Sequence, residues 1–276
     1  METLELEVGE YTFSARADGP ADGELVLLLH GFPETSYEWR KQLPVLAAAG
    51  YRAVAPDQRG YASGARPENV DAYRIGELAS DAVGFADALG VDRFHLVGHD
   101  WGGAVAWFVG GHSGDRLRSL TVVSTPHPTP LAHSIAHGEQ REKSAYMLML
   151  RDPSAEDQFL TGDGDALRGL YENAGLHDVD AVDEYVRVFS DRSALTGGLN
   201  WYRANNFRAE IGPITVPTMY VWSTDDIALG REAAEATGPY CEGSYRFEVI
   251  EDVSHWLPEE APEELNTLLL SHLSGK

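Results

Sequence analysis

The stretch Phe94-His-Leu-Val-Gly-His-Asp-Trp-Gly102 places a short apolar run directly before a turn that is bounded by two glycines. We predict a strand at Phe94–Val97 and a helix with a small, close-packing face at Gly102–Gly111. Flanking glycines permit a sharp strand-to-helix turn, and such a turn lifts its middle side chain above the sheet. The middle residue is Asp100, a position typical of a catalytic nucleophile. Because Asp often caps helices, the turn alone leaves a capping role open.

The segments around this turn alternate between strand and helix patterns. A hairpin is predicted on either side of Gly9, and a helix at Ile75–Leu89 is predicted to end at Gly90. A closing helix is predicted at Glu259–Leu273. Apolar runs predict buried strands at Leu25–Leu29, Tyr51–Ala55, Leu117–Val123, Thr218–Trp222 and Tyr245–Ile250. The alternation predicts an α/β fold with a mostly parallel sheet that is flanked by helices.

The middle of the chain has a different pattern. It is rich in His, Asp, Arg and Tyr, and helical periodicity occurs at Glu139–Leu150 and Val179–Ser190 without a buried strand. We therefore predict a core domain formed by residues 1–125 and 218–276, with residues 126–217 inserted as a helical cap or lid.

Composition excludes several functional classes. The 276 residues carry a formal net charge of −23, which disfavours binding to nucleic acid and to anionic membranes. The single cysteine, Cys241, cannot form an intrachain disulfide, and no signal peptide or membrane span is visible, so a cytoplasmic protein is expected. No glycine-rich nucleotide motif and no zinc-protease motif is present, so we expect neither a cofactor nor a metal.

Three further segments fit a catalytic turn at Asp100. His30-Gly-Phe-Pro33 follows the predicted strand Leu25–Leu29, and the backbone N–H groups of Phe32 and Trp101 would together form an oxyanion hole. An ordinary turn built on Gly and Pro is the alternative. The other two segments follow the last two predicted strands.

These two segments supply an acid and a base. Ser223-Thr-Asp-Asp226 offers Asp225 or Asp226 as the acid, and His255 lies where a general base is needed. The chain order of nucleophile, acid and base is the order that this fold requires. A lone His is more often structural, but here it completes a triad.

The carboxylate at position 100 determines the chemistry. A serine that attacked saturated carbon would give an ether, which water does not readily cleave, whereas a carboxylate gives an ester that can be hydrolysed. Asp has an ordinary pKa of ~3.9, so it is ionised at neutral pH and needs no base for attack. Asp100 therefore indicates displacement on carbon, in an epoxide or an alkyl halide.

Over essentially its whole length the sequence resembles the α/β-hydrolase-fold epoxide hydrolases. The motifs that carry the resemblance are His30-Gly-Phe-Pro-Glu-Thr-Ser-Tyr-Glu-Trp-Arg40, Asp57-Gln-Arg-Gly-Tyr61, Gly98-His-Asp-Trp-Gly102 and Gly198-Leu-Asn-Trp-Tyr-Arg203. The resemblance favours Asp226 over Asp225 as the acid. It also implies that two cap tyrosines, Tyr146 and Tyr202, hold the epoxide oxygen, although the Tyr146 segment departs from the family after Leu150. It assigns substrate binding to four more residues: His30, Pro33, Trp201 and Trp256.

The resemblance implies that the protein converts a small-molecule epoxide to a vicinal diol. Asp100 would form a covalent ester, and a water activated by His255 and Asp226 would hydrolyse it. A haloalkane dehalogenase is the nearest alternative, but Phe32 stands where that family commonly has a halide-binding Asn. A catalytically silent ligand-binding protein on the same fold is the alternative from another class. It is disfavoured because all three triad positions are filled.

Overall fold

In the computed structural model, which describes residues 1–162, 164–206 and 210–275, eight strands form one sheet. The strands are β1 (Glu2–Val8), β2 (Tyr11–Asp18), β3 (Leu25–Leu29), β4 (Arg52–Pro56), β5 (Phe94–His99), β6 (Leu117–Val123), β7 (Thr218–Ser223) and β8 (Tyr245–Ile250). Their order across the sheet is β1-β2-β4-β3-β5-β6-β7-β8. The pairs β1–β2 and β2–β4 are antiparallel, and the remaining neighbours are parallel. The predicted hairpin and the mostly parallel sheet are therefore confirmed.

Helices cover the sheet and fill the segment between β6 and β7. They are α1 (Leu43–Ala48), α2 (Ile75–Ala88), α3 (Asp100–His112), α4 (Pro128–His137), α5 (Gln140–Lys143), α6 (Met147–Arg151), α7 (Ala155–Phe159), α8 (Asp165–Asn173), α9 (Val179–Phe189), α10 (Arg192–Ala204), α11 (Arg231–Glu235), α12 (Leu257–Glu260) and α13 (Pro262–Leu273). Within the described residues, no helix has both the length and the apolar character needed to span a bilayer.

The unbroken apolar sequence of β3 reflects burial on both faces of the sheet. Leu25, Leu27 and Leu29 pack into one core together with residues of α2 and α3. Val26 and Leu28 pack into a second core together with residues of α1 and α13. Successive side chains of a strand point to opposite faces, so a strand that is covered on both sides needs apolar residues throughout.

The parallel strands bring the predicted site residues to one edge of the sheet. β5 leads into Asp100, β3 leads into the loop with Phe32, and β7 and β8 lead into the loops with Asp226 and His255. The carboxyl ends of parallel strands lie at the same edge, which is where open α/β sheets bind their ligands.

The segment between β6 and β7, which we call the helical insertion (residues 126–217), contains α4 to α10 in its described part. The single helix predicted at Glu139–Leu150 is wrong, because α5 and α6 are separated by a 3₁₀ turn at Ser144–Tyr146. A 3₁₀ turn has fewer residues per turn than an α-helix, so it changes the direction of the side chains that follow. The division into a core and a cap domain stays a prediction.

The predicted closing helix is also wrong at its start. Instead of one helix from Glu259, the structure has α12 followed by α13, with a break at Ala261. Pro262 lacks a backbone N–H and disfavours helical dihedrals in the residue before it, and Ala261 has φ −123° and ψ 51°.

A buried ionic cluster ties the insertion to the core. Glu259 of α12 accepts a hydrogen bond from the Tyr185 hydroxyl of α9 at 2.6 Å and pairs with Arg40 at 2.6 Å. Arg40 also pairs with Asp178, just before α9, at 2.7 Å. Breaking a buried pair of this kind typically costs several kcal/mol, so the cluster holds α9 against the core.

Candidate active site

The turn at Asp100 depends on close backbone packing. Asp100 has φ +48°, in the left-handed region that most side chains avoid. A Cβ on Gly98 would lie 2.2 Å from the carbonyl oxygen of Gly102, and a Cβ on Gly102 would lie 2.1 Å from that of Leu29. Only glycine fits at both positions, and α3 begins directly at Asp100 rather than at Gly102.

The Asp100 carboxylate is held at one oxygen and open at the other. The backbone N–H of Phe32 donates to Oδ1 at 2.9 Å. Oδ2 lies 3.5 Å from Nε2 of His255. The main-chain carbonyl of Asp100 accepts a hydrogen bond from the Thr125 hydroxyl at 2.6 Å. Trp101 lies in the first turn of α3, where backbone N–H groups have no acceptor within the helix.

His255 lies between Asp100 and Asp226. Its Nδ1 lies 2.9 Å from Oδ2 of Asp226, and both residues are buried. Since a carboxylate only accepts hydrogen bonds, Nδ1 carries a proton, and Nε2 faces Asp100. Asp225 is exposed instead, so the structure brings Asp226, not Asp225, to the histidine.

The charges of these three residues shift one another's pKa values. Burial raises the pKa of Asp100, but the hydrogen bond and charge of His255, with the N–H of Phe32, bring it below its ordinary value. Burial lowers the pKa of His255, but Asp226 and Asp100 raise it well above its ordinary value. Asp100 is therefore ionised at neutral pH, and the imidazole holds an extra proton while Asp100 is charged.

A cavity of about 120 Å³ lies over the nucleophile, between the core and the helical insertion. Its lining is mostly apolar, apart from the groups that could react. It is formed by Phe32, Pro33, Asp100, Tyr146, Leu150, Leu170, Ala174, Tyr202, Ile227, Ala228, His255 and Trp256. A smaller lobe of about 20 Å³ adjoins three residues of this lining, Asp100, Tyr146 and Tyr202. Leu131 forms part of its wall.

The two predicted tyrosines lie together across the cavity from the carboxylate. The ring centroids of Tyr146 and Tyr202 are 6.5 Å apart, and Tyr202 packs perpendicular to Trp101 with centroids 5.0 Å apart. Burial raises the pKa of both phenols, and the negative charge of Asp100 raises them further. A hydrogen-bond interaction with Tyr202 partly offsets the increase in the pKa of Tyr146, and one with the Trp101 indole N–H does the same for Tyr202. Both phenols therefore keep their protons at neutral pH.

The other predicted substrate-binding residues divide into two groups. Pro33 and Trp256 line the cavity, and the Trp256 indole donates to the carbonyl of Ala174 at 2.8 Å. His30 and Trp201 are fully buried and do not line the cavity, which corrects their assignment. The Trp201 indole N–H donates to the carbonyl of Arg59 at 2.8 Å, so it faces away from the cavity.

His30 has a structural role in the loop. Its Nε2 accepts a hydrogen bond from the N–H of Gln58 at 3.1 Å, so Nδ1 carries the proton and donates to the carbonyl of Gly31 at 2.8 Å. Burial lowers the pKa of His30 to about 4, which keeps the ring neutral. The neutral ring fixes the loop that presents the Phe32 N–H.

A buried cluster of Glu34, Glu38 and His99, none of which is a predicted site residue, lies beneath this loop. Nδ1 of His99 lies 3.1 Å from an oxygen of each glutamate, and its Nε2 donates to the carbonyl of His255 at 3.0 Å. Glu38 also accepts the N–H of Gly31 at 3.0 Å. Glu34 occurs in the motif with His30 and His99 precedes the nucleophile, so their positions beside catalytic motifs were an available signal.

Within the described residues, this cluster is the one group whose donor atoms lie close enough to hold a metal ion. Burial, and then the neighbouring Glu38, raise the pKa of Glu34 to about 8. Burial likewise raises the pKa of Glu38 well above its ordinary value. Carboxyl groups that hold their protons are poor metal ligands, so the cluster is better suited to sharing protons.

The sheet topology, the strained turn and the ordered residues Asp100, Asp226 and His255 define a member of the α/β-hydrolase class. A family model of the alpha/beta hydrolase fold matches residues 24–262. The chain is similar to the AB hydrolase superfamily protein YfhM of Bacillus subtilis (strain 168), with 35% identity covering 96% of this chain and 95% of that protein.

Two epoxide hydrolases are also similar over nearly the full length. Epoxide hydrolase A of Mycobacterium tuberculosis (strain ATCC 25618 / H37Rv) is 35% identical, covering 93% of this chain and 92% of that protein. A solved structure described under novel epoxide hydrolases from metagenomes of hot environments superposes with a TM-score of 0.89 at 30% identity, covering 100% of this chain and 99% of that one. The chain belongs to the epoxide hydrolases of the α/β-hydrolase fold.

Proposed function

We propose that the protein opens epoxides to vicinal diols, with Asp100 as the nucleophile and the helical insertion as a cap over the site. One observation carries the proposal: a carboxylate and two phenols, Asp100, Tyr146 and Tyr202, line the same cavity. A carboxylate can attack the ring carbon while proton donors stabilise the oxygen that leaves. The similarity to Epoxide hydrolase A supports the same activity.

In the first step, Oδ2 of Asp100 attacks a ring carbon, because Oδ1 is held by the N–H of Phe32. A carbon–oxygen bond of the ring breaks, and its electron pair goes to the oxygen. The two phenols hydrogen-bond that oxygen, and one of them donates a proton to it. The neighbouring phenol would stabilise the phenolate by hydrogen bonding, because the two rings lie together with centroids 6.5 Å apart. The product is an ester between Asp100 and the opened substrate.

In the second step, water hydrolyses this ester. Because the Asp100 charge is gone in the ester, the imidazolium first releases its extra proton to solvent. Nε2 of the neutral His255 then takes a proton from water, and the oxygen of the water attacks Cγ of Asp100. The oxyanion that forms accepts hydrogen bonds from the backbone N–H groups of Phe32 and Trp101. The bond between Cγ and the substrate oxygen then breaks, and the diol oxygen receives the proton that His255 took from water. The second proton of that water leaves the regenerated Asp100 carboxyl and restores the phenol, and His255 regains its extra proton from solvent once Asp100 is charged again. Asp226 keeps the imidazole oriented throughout.

The shape of the site supports neutral, apolar substrates. No Lys or Arg occurs among the described residues that line the larger lobe, and aliphatic and aromatic carbons make up most of its wall. An epoxide ring at Asp100 would place its larger substituent in the lobe of about 120 Å³ and its other carbon toward the lobe of about 20 Å³. Apolar surface buried in this way contributes about 25 cal/mol per Å².

The test uses His255→Gln with styrene oxide as the probe. We expect the variant to form the ester and not hydrolyse it, so its intact mass rises by one epoxide molecule, and peptide mapping locates the mass on Asp100. A His255→Gln/Asp100→Asn variant is the matched control and should stay unmodified. In a single turnover in heavy-oxygen water, the wild type should carry the label in Asp100 rather than in the diol.

Two results would contradict the proposal. An alkyl adduct that forms from a haloalkane but not from an epoxide would indicate a dehalogenase. The absence of any adduct from either probe, in a folded His255→Gln variant, would indicate a ligand-binding protein without catalysis.

A further inference from the structure

Gln140 of α5 is fully buried although its side chain is polar. Its Nε2 donates to the carbonyl oxygen of Ala228 at 2.5 Å and to the hydroxyl of Ser144 at 2.9 Å. Its Oε1 accepts the backbone N–H of Gly230 at 2.8 Å. Both N–H donors of the amide and its oxygen are therefore used, and two of the three partners belong to the loop at 226–230.

This loop carries Asp226, the proposed acid. Oδ1 of Asp226 accepts the N–H groups of Ala228 and Leu229, each at 2.8 Å, and Oδ2 faces His255 at 2.9 Å. The direction of the carboxylate is thus set by the same backbone that Gln140 holds. Nζ of Lys143 donates to the carbonyl oxygen of Asp226 at 2.6 Å. Two side chains of the helical insertion therefore hold a loop of the core.

The hydrogen bond from Gln140 to Ser144 also connects the loop at 226–230 to the turn that carries Tyr146. Ser144, the partner of Gln140, begins the 3₁₀ turn that carries Tyr146. Ala228 and Ile227 line the same cavity as Tyr146, which packs against the cluster that contains Ala228 and Leu229. The loop with the acid and the turn with the phenol are consequently joined through one buried amide.

We propose that Gln140, assisted by Lys143, is a positioning residue for hydrolysis of the ester; this rests on the proposed function. When Gln140 holds the loop, Asp226 keeps Nδ1 of His255 hydrogen-bonded and Nε2 directed at the ester. Formation of the ester uses the Asp100 carboxylate and the phenols, and the link from Gln140 to the Tyr146 turn is the single hydrogen bond to Ser144, whereas two hydrogen bonds hold the loop with Asp226. Loss of Gln140 therefore slows the second step selectively.

The test is a rapid-quench single turnover with styrene oxide, following the ester by intact-protein mass in the wild type and in Gln140→Leu. Because a displacement of about 1 Å can cost about 10²-fold in rate, we expect ester hydrolysis to slow by about 10-fold or more. Ester formation stays within about 3-fold, so the ester accumulates. Arg141→Ala, an exposed residue on the same helix, is the control and should leave both rates unchanged.

A second variant separates positioning from packing. Gln140→Glu keeps an acceptor for the N–H of Gly230, but it can donate to the carbonyl of Ala228 only when protonated. We expect the rate of ester hydrolysis in Gln140→Glu, divided by the wild-type rate at the same pH, to rise as the pH falls. If Gln140→Leu does not fold, Lys143→Met replaces it in the same comparison, because that side chain is only half-buried.

Two outcomes overturn the inference while the proposed function stands. One is a folded variant that hydrolyses the ester at the wild-type rate, and the other is an equal loss in both steps. If the wild type and His255→Gln form no ester with styrene oxide, the proposed function itself fails, and the positioning role fails with it.

Discussion

Nε2 of His255 lies 3.5 Å from Oδ2 of Asp100, so the proposed base and nucleophile form a buried ion pair in the free protein. Burial lowers the pKa of His255, and the charges of Asp226 and Asp100 raise it above its ordinary value. When Asp100 becomes an ester, its charge is lost and only Asp226 remains to raise the pKa. Ester formation therefore lowers the pKa of His255, which favours the neutral imidazole that can take a proton from water.

The first prediction concerns this coupling. In Asp100→Asn the pKa of His255 should be lower than in the wild type, because one of its two carboxylate partners is gone. An NMR titration of the imidazole would measure the difference. Asp225→Asn, at an exposed carboxylate, should leave the titration unchanged. An unaltered pKa in Asp100→Asn would contradict the coupling.

The second prediction concerns Tyr202. Replacing it by Phe removes one hydrogen bond from the developing alkoxide and from Tyr146, so ester formation should slow by about 10²-fold. Hydrolysis of the ester should change far less. Single-turnover kinetics with styrene oxide would separate the two steps. Equal effects on both steps would count against the assigned role.

The third prediction concerns stability against pH. The pKa of Glu34 is raised to about 8 by burial and by Glu38. A carboxylic acid whose pKa is raised on folding makes its full contribution to stability when the pH is below its pKa in the unfolded chain, which is about 4.5. That stability is lost as the pH rises toward 8.

Glu34→Gln cannot ionise, so its free energy of unfolding should fall less between pH 5 and 8 than that of the wild type. The difference should be on the order of a few kcal/mol, measured by urea denaturation. Identical slopes against pH in the two proteins would show that Glu34 is ionised in the folded state.

The fourth prediction concerns the close approach at Gly102. In Gly102→Ala the new Cβ meets the backbone of Leu29 at 2.1 Å, so the turn must shift. We expect a loss of about 1–3 kcal/mol in stability and a large loss of activity. Gly76→Ala is the matched control, because its nearest neighbour lies at 4.0 Å. Thermal unfolding of both variants is the measurement, and equal melting temperatures would contradict the packing argument.

The fifth prediction concerns the small lobe. Because it has about 20 Å³, a monosubstituted epoxide should be turned over faster than a trans-disubstituted epoxide with the same larger arm. Leu131→Ala should enlarge the lobe and reduce that preference, at a stability cost of about 2–5 kcal/mol. The measurement is the ratio of kcat/KM for the two substrates. A ratio unaffected by Leu131→Ala would show that the second substituent lies elsewhere.

The strands, and the meeting of Asp100, Asp226 and His255 at one edge of the sheet, could be predicted because the signals that mark them are local. An apolar run marks a strand that is buried on both faces, and a turn between two glycines marks the nucleophile. Chain order then relates these motifs, since each follows a parallel strand.

Features that depend on contacts between distant segments were not predictable in this way. Gln140 forms hydrogen bonds with residues about 90 positions further along the chain. The break in the helix at Ser144 is likewise not indicated by helical periodicity alone. Trp201 lies in a family motif, yet packing turns its N–H toward Arg59. The break before Pro262 was predictable from local chemistry, because proline restricts the residue that precedes it.

The helical insertion lies between β6 and β7. The phenols proposed for ring opening and the residues proposed for ester hydrolysis therefore come from different segments of the chain. Tyr146 and Tyr202, the proposed proton donors for ring opening, come from the insertion, whereas the proposed acid, base and oxyanion donors come from loops of the sheet. Under the proposed mechanism, mutations in the insertion can therefore change which rings are opened while the residues for ester hydrolysis stay the same. The loop held by Gln140 and Lys143 limits this modular divergence, because a replacement insertion must supply equivalent contacts to Asp226.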